Sequence, residues 1–354
     1  MSDNQGKNAI ERYLQGMGRK TIDSEQRERI DRWLCWYRGF VKDFHKYSVY
    51  TGQKRHSCER YKLGMGKQVC EDFATLLLNE KVQINATSFA ELPGILEDNN
   101  FLDRCNRLLE LTMALGTGAL VEFLDADGKP VIDYIRGDMI YPLNWDGDNI
   151  TECAFGSVRV YDVAGQPKEG FYVQMHTRDE SGQYVIENAY LDEAGAAMEA
   201  PEGVQLVSKP SPMPLFQILR PNTVNAEDLD SPMGASIFAH AIDQLKGCDL
   251  VYDSYVNEFV LGKKRMYVPQ SLAQTVLATD GTVQSTFDPN DVLIYVYQQE
   301  ENGKNELKPV DMALRTAEHE AGIQRMIDLL SKKCGLGTGR YRFDGGAAAT
   351  ATQV

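Results

Sequence analysis

No apolar run in the 354-residue sequence approaches the roughly 18 residues needed to span a bilayer, and residues 1–20 are polar with no apolar core of signal-peptide length. Membrane insertion and secretion are not expected. Cysteine is scarce: seven residues, an odd number with no Cys-x-x-Cys, exclude a disulfide framework and fit reduced thiols in a cytosolic compartment. The common catalytic signatures are missing as well. There is no Gly-x-Ser-x-Gly, no His-Glu-x-x-His, no EF-hand loop and no Walker-type phosphate loop.

What is present is an ordinary folded composition, 43% hydrophobic and 25% charged, long enough for two or three structural units. The net charge of −14 is uneven. Residues 1–70 hold 15 basic and 8 acidic side chains, residues 71–258 hold 11 and 32, and residues 259–354 hold 11 and 11. Lys and Arg that neutralise phosphates supply nucleic-acid affinity, so a middle region at −21 argues against a conventional DNA-gripping surface there. It is compatible with an ordinary solvated surface and with a wall that repels a duplex and lets it pass.

The periodicity predicts an amphipathic helix over 24–50, on Ile30, Trp33, Leu34, Tyr37, Phe40, Val41 and Phe44. A second helix is expected over 67–79, followed by a β-prone 82–84, and a third over about 94–115, stopped by Gly116-Thr117-Gly118. The period then changes to two. Strand-like segments at 119–124, 131–135, 153–161, 171–177 and 184–191, separated by turns at Asp127-Gly128, Gly147-Asp148, Gly165-Gln166 and Ser181-Gly182, predict an antiparallel meander. Six of the thirteen prolines fall between 201 and 232, which marks a boundary.

Beyond it Phe238, Ala241, Leu245, Cys248, Tyr252, Tyr255 and Phe259 step by three and four, a heptad-like seam on a helix expected over 235–261 and about 40 Å long. Asp243, Lys246, Asp253 and Asn257 mark its wet face. Residues 263–312 read as a compact insert, with basic Lys263-Lys264-Arg265, a short helix at 271–277, a strand at 292–297 and a turn at Asn302-Gly303. A helix over 314–333, apolar at Ala317, Ile323, Ile327 and Leu330, follows, with Gly335 as its C-terminal stop.

Candidate chemistry is thin. Gly335-Leu336-Gly337-Thr338-Gly339 follows a helix, where a dinucleotide fingerprint follows a strand, and Gly64-Met65-Gly66-Lys67 lacks the spacing of a phosphate loop. His56, Cys58 and Cys70 lack the paired spacing of a zinc site, and His45, His176, His240 and His319 are isolated in sequence. Asp125-x-Asp127 and Asp146-x-Asp148 read as turns. No catalytic residue, cofactor or metal is expected.

A resemblance comes from the order of several blocks. They are the run from Leu63-Gly64-Met65-Gly66-Lys67 to Leu78-Asn79-Glu80, then Gly116-Thr117-Gly118-Ala119, Ile140-Tyr141-Pro142-Leu143 and Pro232-Met233-Gly234-Ala235-Ser236-Ile237-Phe238-Ala239. Cys334-Gly335-Leu336-Gly337 and Ala349-Thr350-Ala351-Thr352-Gln353-Val354 close the series. Over about residues 30–354 the sequence resembles portal proteins of tailed phages and prophages of Gram-positive bacteria.

That resemblance implies an α+β portal fold and a ring, usually of twelve subunits, at one capsid vertex, through which double-stranded DNA enters and leaves. It implies an N-terminal arm and helix (1–60), a wing (61–232), a first stem helix (233–262), a clip (263–313), a second stem helix (314–334) and a tunnel loop (335–354). Asp243, Asp253 and Asn257 become channel-facing candidates, Lys263, Lys264 and Arg265 lie by the clip entrance, and Arg340 and Arg342 are candidates to meet phosphates. The implied partners are further copies of the chain, the ATP-driven terminase large subunit, a head-to-tail adaptor, scaffold and major capsid protein, and DNA in transit without sequence preference. The implied location is the virion's portal vertex, with assembly in the host cytoplasm. Family members continue past the Ala-Thr-Ala-Thr motif into a tunnel helix and crown, so a sequence ending at Val354 is expected to carry only the start of that helix. Two other readings compete with this one: a capsid-associated adaptor that forms no channel, and an enzyme acting on phosphates through residues 335–339.

Overall fold

The computed structural model describes residues 2–19, 21–50, 54–79, 81–125, 127–163, 166–199, 207–208, 210–262, 265–269, 275–277, 283–285, 294–297, 308–310 and 313–342. Among them the architecture is α+β, with sheets that are antiparallel apart from one parallel pair in the insert. The polar N-terminus forms a helix, α1 (Ser2–Gly16), which buries Ala9, Ile10 and Leu14 against a sheet. Helix α2 (Ser24–Tyr37) begins where Asp23 accepts from the Gln26 N–H at 2.7 Å. It stops well before the expected residue 50. Gly39, at φ +71°, lets the Gly39 and Phe40 N–H groups turn back to the carbonyls of Trp36 and Cys35. A single turn, α3 (Lys42–His45), then leads into β1 (Lys46–Tyr50), which pairs antiparallel with β2 (Arg55–Glu59).

Helix α4 (Met65–Leu77) lies close to its predicted place, but residues 82–84 form no strand. The third helix is two, α5 (Leu92–Asp98) and α6 (Phe101–Leu115), broken at Asn100, which takes a left-handed φ of +46°. The expected meander is split between two sheets. Strands β3 (Gly118–Leu124) and β4 (Pro130–Arg136) form one. The other runs in sequence order through β5 (Ile140–Asp146), β6 (Asn149–Val163), β7 (Gln166–Arg178), β8 (Tyr184–Leu191) and β9 (Ala197–Met198). Strand β5 was not foreseen, because it carries Pro142 and a register shift; it lies at the sheet edge, where proline is tolerated. The turns at Gly128, Gly147 and Gly182 fall as expected, each with positive φ, while Gly165 lies outside the described residues. In the proline-rich stretch β10 (Phe216–Leu219) pairs on the outer edge of β3.

The helix expected from 235 begins only at Ile242: α7 spans Ile242–Leu261, twenty residues and about 30 Å, after a 3₁₀ turn at Ala239–Ala241. Residues 233–238 are instead held against the end of α6. The Ile237 N–H donates to the Met113 carbonyl at 2.9 Å and the Gly234 N–H to Thr117 Oγ1 at 3.0 Å. The insert that follows contains β11 (Arg265–Pro269), β12 (Thr275–Leu277), β13 (Val283–Ser285), β14 (Ile294–Tyr297) and β15 (Lys308–Val310). Strand β11 is central, parallel to β14 and antiparallel to β15. Thr275–Leu277 is thus a strand paired with β13 and not the end of a short helix, while Asn302 and Gly303 lie outside the described residues. Helix α8 (Thr316–Lys333) returns along α7 and closes on a left-handed Gly335, whose N–H and that of Leu336 bond the carbonyls of Lys332 and Ser331. Ile323, Ile327 and Leu330 are buried as expected; Ala317 is exposed. One core, including Trp33, Leu115, Phe238, Leu245, Ile327 and Leu330, joins α2, α6, α7 and α8.

Candidate functional site

The α7–α8 hairpin carries most of the residues singled out from the sequence. Its register is fixed by Gly247, whose missing side chain leaves room for the Met326 thioether, and by Glu258 with Arg315 at the insert end. The seam grades from dry to wet along α7. Phe238, Ala241, Leu245 and Cys248 are buried, Tyr252 and Tyr255 half-buried, and Phe259 is 45% exposed. Phe259 meets the Tyr255 ring edge-on at 5.1 Å.

The opposite face is not uniformly wet. Asp243 is exposed and its carboxylate takes the Lys246 ammonium at 3.0 Å, and Asn257 is half-buried. Asp253 contradicts the expectation: it is 6% exposed and accepts the Tyr61 N–H at 2.9 Å. One turn earlier Asp249, which the sequence reading passed over, is 3% exposed. It accepts the N–H groups of Leu63 at 2.8 Å and Gly64 at 3.3 Å, and its second oxygen lies 3.1 Å from His45 Nε2. The His45 ring is fully buried, with Nδ1 against the Val41 backbone and Trp36, Phe40 and Phe44 around it. With both nitrogens engaged and no exposure, the pair anchors chain segments. Two carboxylates spaced by four on one helix flank were the available signal; the distant His45 and the 60–64 backbone that they serve were not readable locally.

Helix α7 therefore has four sides. Leu245, Cys248 and Tyr252 face the core; Gly247 and Glu258 face α8; Asp249 and Asp253 face residues 45–64; and Asp243, Leu250, Ser254 and Asn257 form a stripe with substantial exposure at its first three positions.

At the insert end of the hairpin, Arg315 grips Glu258 with Nη2 to Oε2 at 2.8 Å and Nε to Oε1 at 3.1 Å, and His319 Nε2 lies 3.5 Å from Oε2. The Arg315 hydrogen bonds hold the Glu258 carboxyl at about 2, well below the usual carboxylate range. Lys263 and Lys264 lie outside the described residues, and Arg265 opens β11 opposite Val310.

The segment after α8 folds back. Asp328 accepts the Gly339 N–H at 3.2 Å, and Gln324 Nε2 donates to the Tyr341 carbonyl at 2.7 Å. Arg340 Nε donates to Asp72 Oδ2 of α4 at 3.0 Å while the residue stays exposed, and Arg342 lies against Gly339. The glycines at 335, 337 and 339 all take positive φ, as a chain reversal requires; residues 343–354 lie outside the described set.

Among the described residues no cluster of three or more His, Cys, Asp or Glu is placed to hold a metal, and no helix is long and apolar enough to cross a membrane. All seven cysteines are free thiols. No curated protein matches the sequence. A family model described as "Phage portal protein, SPP1 Gp6-like" matches residues 19–334, from just before α2 to the end of α8. A match over that span takes in the two sheets, the hairpin and its insert, and on it the chain belongs to the phage portal protein family.

Proposed function

We propose that this chain is the repeating unit of a ring-shaped conduit for double-stranded DNA at a capsid vertex. The observation that carries the reading is the order α7, short strands, α8: an antiparallel pair of long helices with the strands β11–β15 between them in sequence. Repeated around an axis, such hairpins build a wall, and the inserts build a rim. In this reading residues 61–232 are the wing, α7 and α8 the stem, and residues 263–313 the clip that docks the packaging motor and later the head-to-tail adaptor. Residues from 335 onward belong to the loop that approaches the tunnel.

The stripe of Asp243, Leu250, Ser254 and Asn257 is the tunnel-facing candidate, since α7's other three sides are occupied within the chain. Its chemistry suits transit: a carboxylate neutralised by Lys246, an amide, a hydroxyl and an aliphatic side chain offer no net positive array to trap phosphates. Asp253 is not part of that surface, because it is spent on the Tyr61 N–H. The energy for movement comes from the terminase; the ring supplies geometry and weak, salt-screened contacts. Electron micrographs of the purified chain test the reading: rings with a central hole wide enough for a duplex are expected, and compact particles without a hole would contradict it.

A further inference from the structure

Strands β1 and β2 form a ribbon paired from Lys46 with Glu59 to Tyr50 with Arg55. Nearly every residue on both faces is exposed, including Val49 at 43% and Tyr50 at 65%. A lone two-stranded ribbon is marginal in water, because it buries no face. This one is anchored at its root. The Arg60 N–H donates to the His45 carbonyl at 2.8 Å, the Arg60 guanidinium lies over the Phe44 and Tyr47 rings, and Tyr61 is held by Asp253. Residues 46–62 carry five Lys or Arg (46, 54, 55, 60, 62) against one Glu (59), although the chain as a whole is strongly acidic.

We propose that this ribbon is an intersubunit arm, laid on the outer face of α8 in the next copy of this chain. The inference rests on the ring reading above. At about 100° per residue, the α7 flank that holds the ribbon root (Asp249, Asp253) lies roughly opposite the flank that holds α8 (Gly247, Glu258). In a head-to-tail ring, what one flank offers is met by what the opposite flank of the neighbour offers. The register set by Gly247 with Met326 and by Glu258 with Arg315 puts Asp253 level with about residue 320 of α8. With stem helices running along the ring axis, rotation preserves height, so the ribbon root stands level with the neighbour's Glu318 and Glu320. Both glutamates are exposed, and the exposed Ala317 and Ala321 beside them leave a low surface on which Tyr50 can lie, with its cross-strand partner Arg55 on the same face of the ribbon. Charge matches charge, and the Tyr50 ring matches a side-chain-poor helix face. A duplex would satisfy the cations of the ribbon but leave the Tyr50 ring, on the same face as Arg55, against water or phosphate.

A charge exchange tests the arm, with ring assembly followed by light scattering across protein concentration at moderate salt. Arg55→Glu and the pair Glu318→Arg with Glu320→Arg are each expected to raise the concentration for half-assembly about tenfold or more, and combining all three to bring it back towards the wild-type value. Tyr50→Ala, which changes no charge, is expected to weaken assembly in the same direction. Wild-type assembly by Arg55→Glu, or a loss that the exchange does not restore, would overturn the arm while leaving the ring intact. Normal assembly with weakened duplex binding by Arg55→Glu would overturn it in favour of DNA. A wild-type chain that stays monomeric would overturn the ring reading itself, and the arm with it.

Discussion

Gly116 and Gly234 press their backbones together so closely that a methyl group on either would overlap the carbonyl oxygen of the other. This contact joins the end of α6 to the segment leading into α7, and the Gly234 bond to Thr117 and the Ile237 bond to Met113 secure it on both sides. It explains why α7 starts late. Residues 233–238 are held by α6, and the helical seam begins only where they let go.

Gly116→Ala and Gly234→Ala are therefore each expected to cost about 2–4 kcal/mol, from overlap with backbone that cannot move aside and, at Gly116, from a φ of +81°. Gly147→Ala, at φ +58° but facing open space, is expected to cost only about 1 kcal/mol. Urea denaturation measures all three, and equal losses would contradict the close-approach account.

Asp249→Ala would strand His45 and two backbone N–H groups in the interior, with an expected loss of about 3–5 kcal/mol. Asp243→Ala, on the exposed stripe, is expected to stay within about 0.5 kcal/mol. A double-mutant cycle of Asp249→Ala with His45→Ala is expected to show a coupling of about 1–3 kcal/mol; additivity would mean that the two do not work as a unit.

His176 is fully buried between Phe155 and Phe216, where the two sheets meet, and burial lowers its pKa from 6.5 to about 4. Between those values the unfolded chain takes up a proton that the folded chain refuses, so stability falls as pH drops from about 6.5 towards 4. The loss over that window is on the order of 3 kcal/mol. His176→Phe is expected to flatten this part of the stability–pH curve, and an unchanged slope would remove His176 as its cause.

Glu258 should titrate with a midpoint near 2, followed by carboxyl carbon chemical shift at low salt. Its folded pKa is depressed, so the contact with Arg315 is fully formed above the ordinary glutamate value and is lost as pH falls towards 2. Arg315→Gln is expected to return the midpoint to the ordinary range. A midpoint already there in the unaltered chain would mean that the pair is open in solution.

Periodicity made the apolar seam of α7, the buried side of α8 and three of the five strands of the larger sheet legible, because each depends on spacing alone. Glycine punctuation was legible where it ended an element outright, at Gly335 and Gly128. It was overlooked at Gly39, where the apolar pattern runs on through Phe40 and Phe44 after the helix has stopped. Asn100 likewise broke a helix that Leu102 and Leu108 appeared to continue. Asp253 was misplaced for a different reason: a helical wheel separates polar from apolar but cannot tell a wet carboxylate from one that receives the backbone N–H of Tyr61, 192 residues away in sequence. The pairing of Arg340 was not legible for the same reason, since its partner Asp72 is 268 residues distant. Interactions set by tertiary contact leave no local pattern.

The native mass of the purified chain, by light scattering or native mass spectrometry at low and moderate salt, tests the central claim most directly. The account predicts a closed oligomer of about a dozen copies, growing less populated as salt screens the contacts between charged flanks. A strict monomer at every concentration and salt would contradict it.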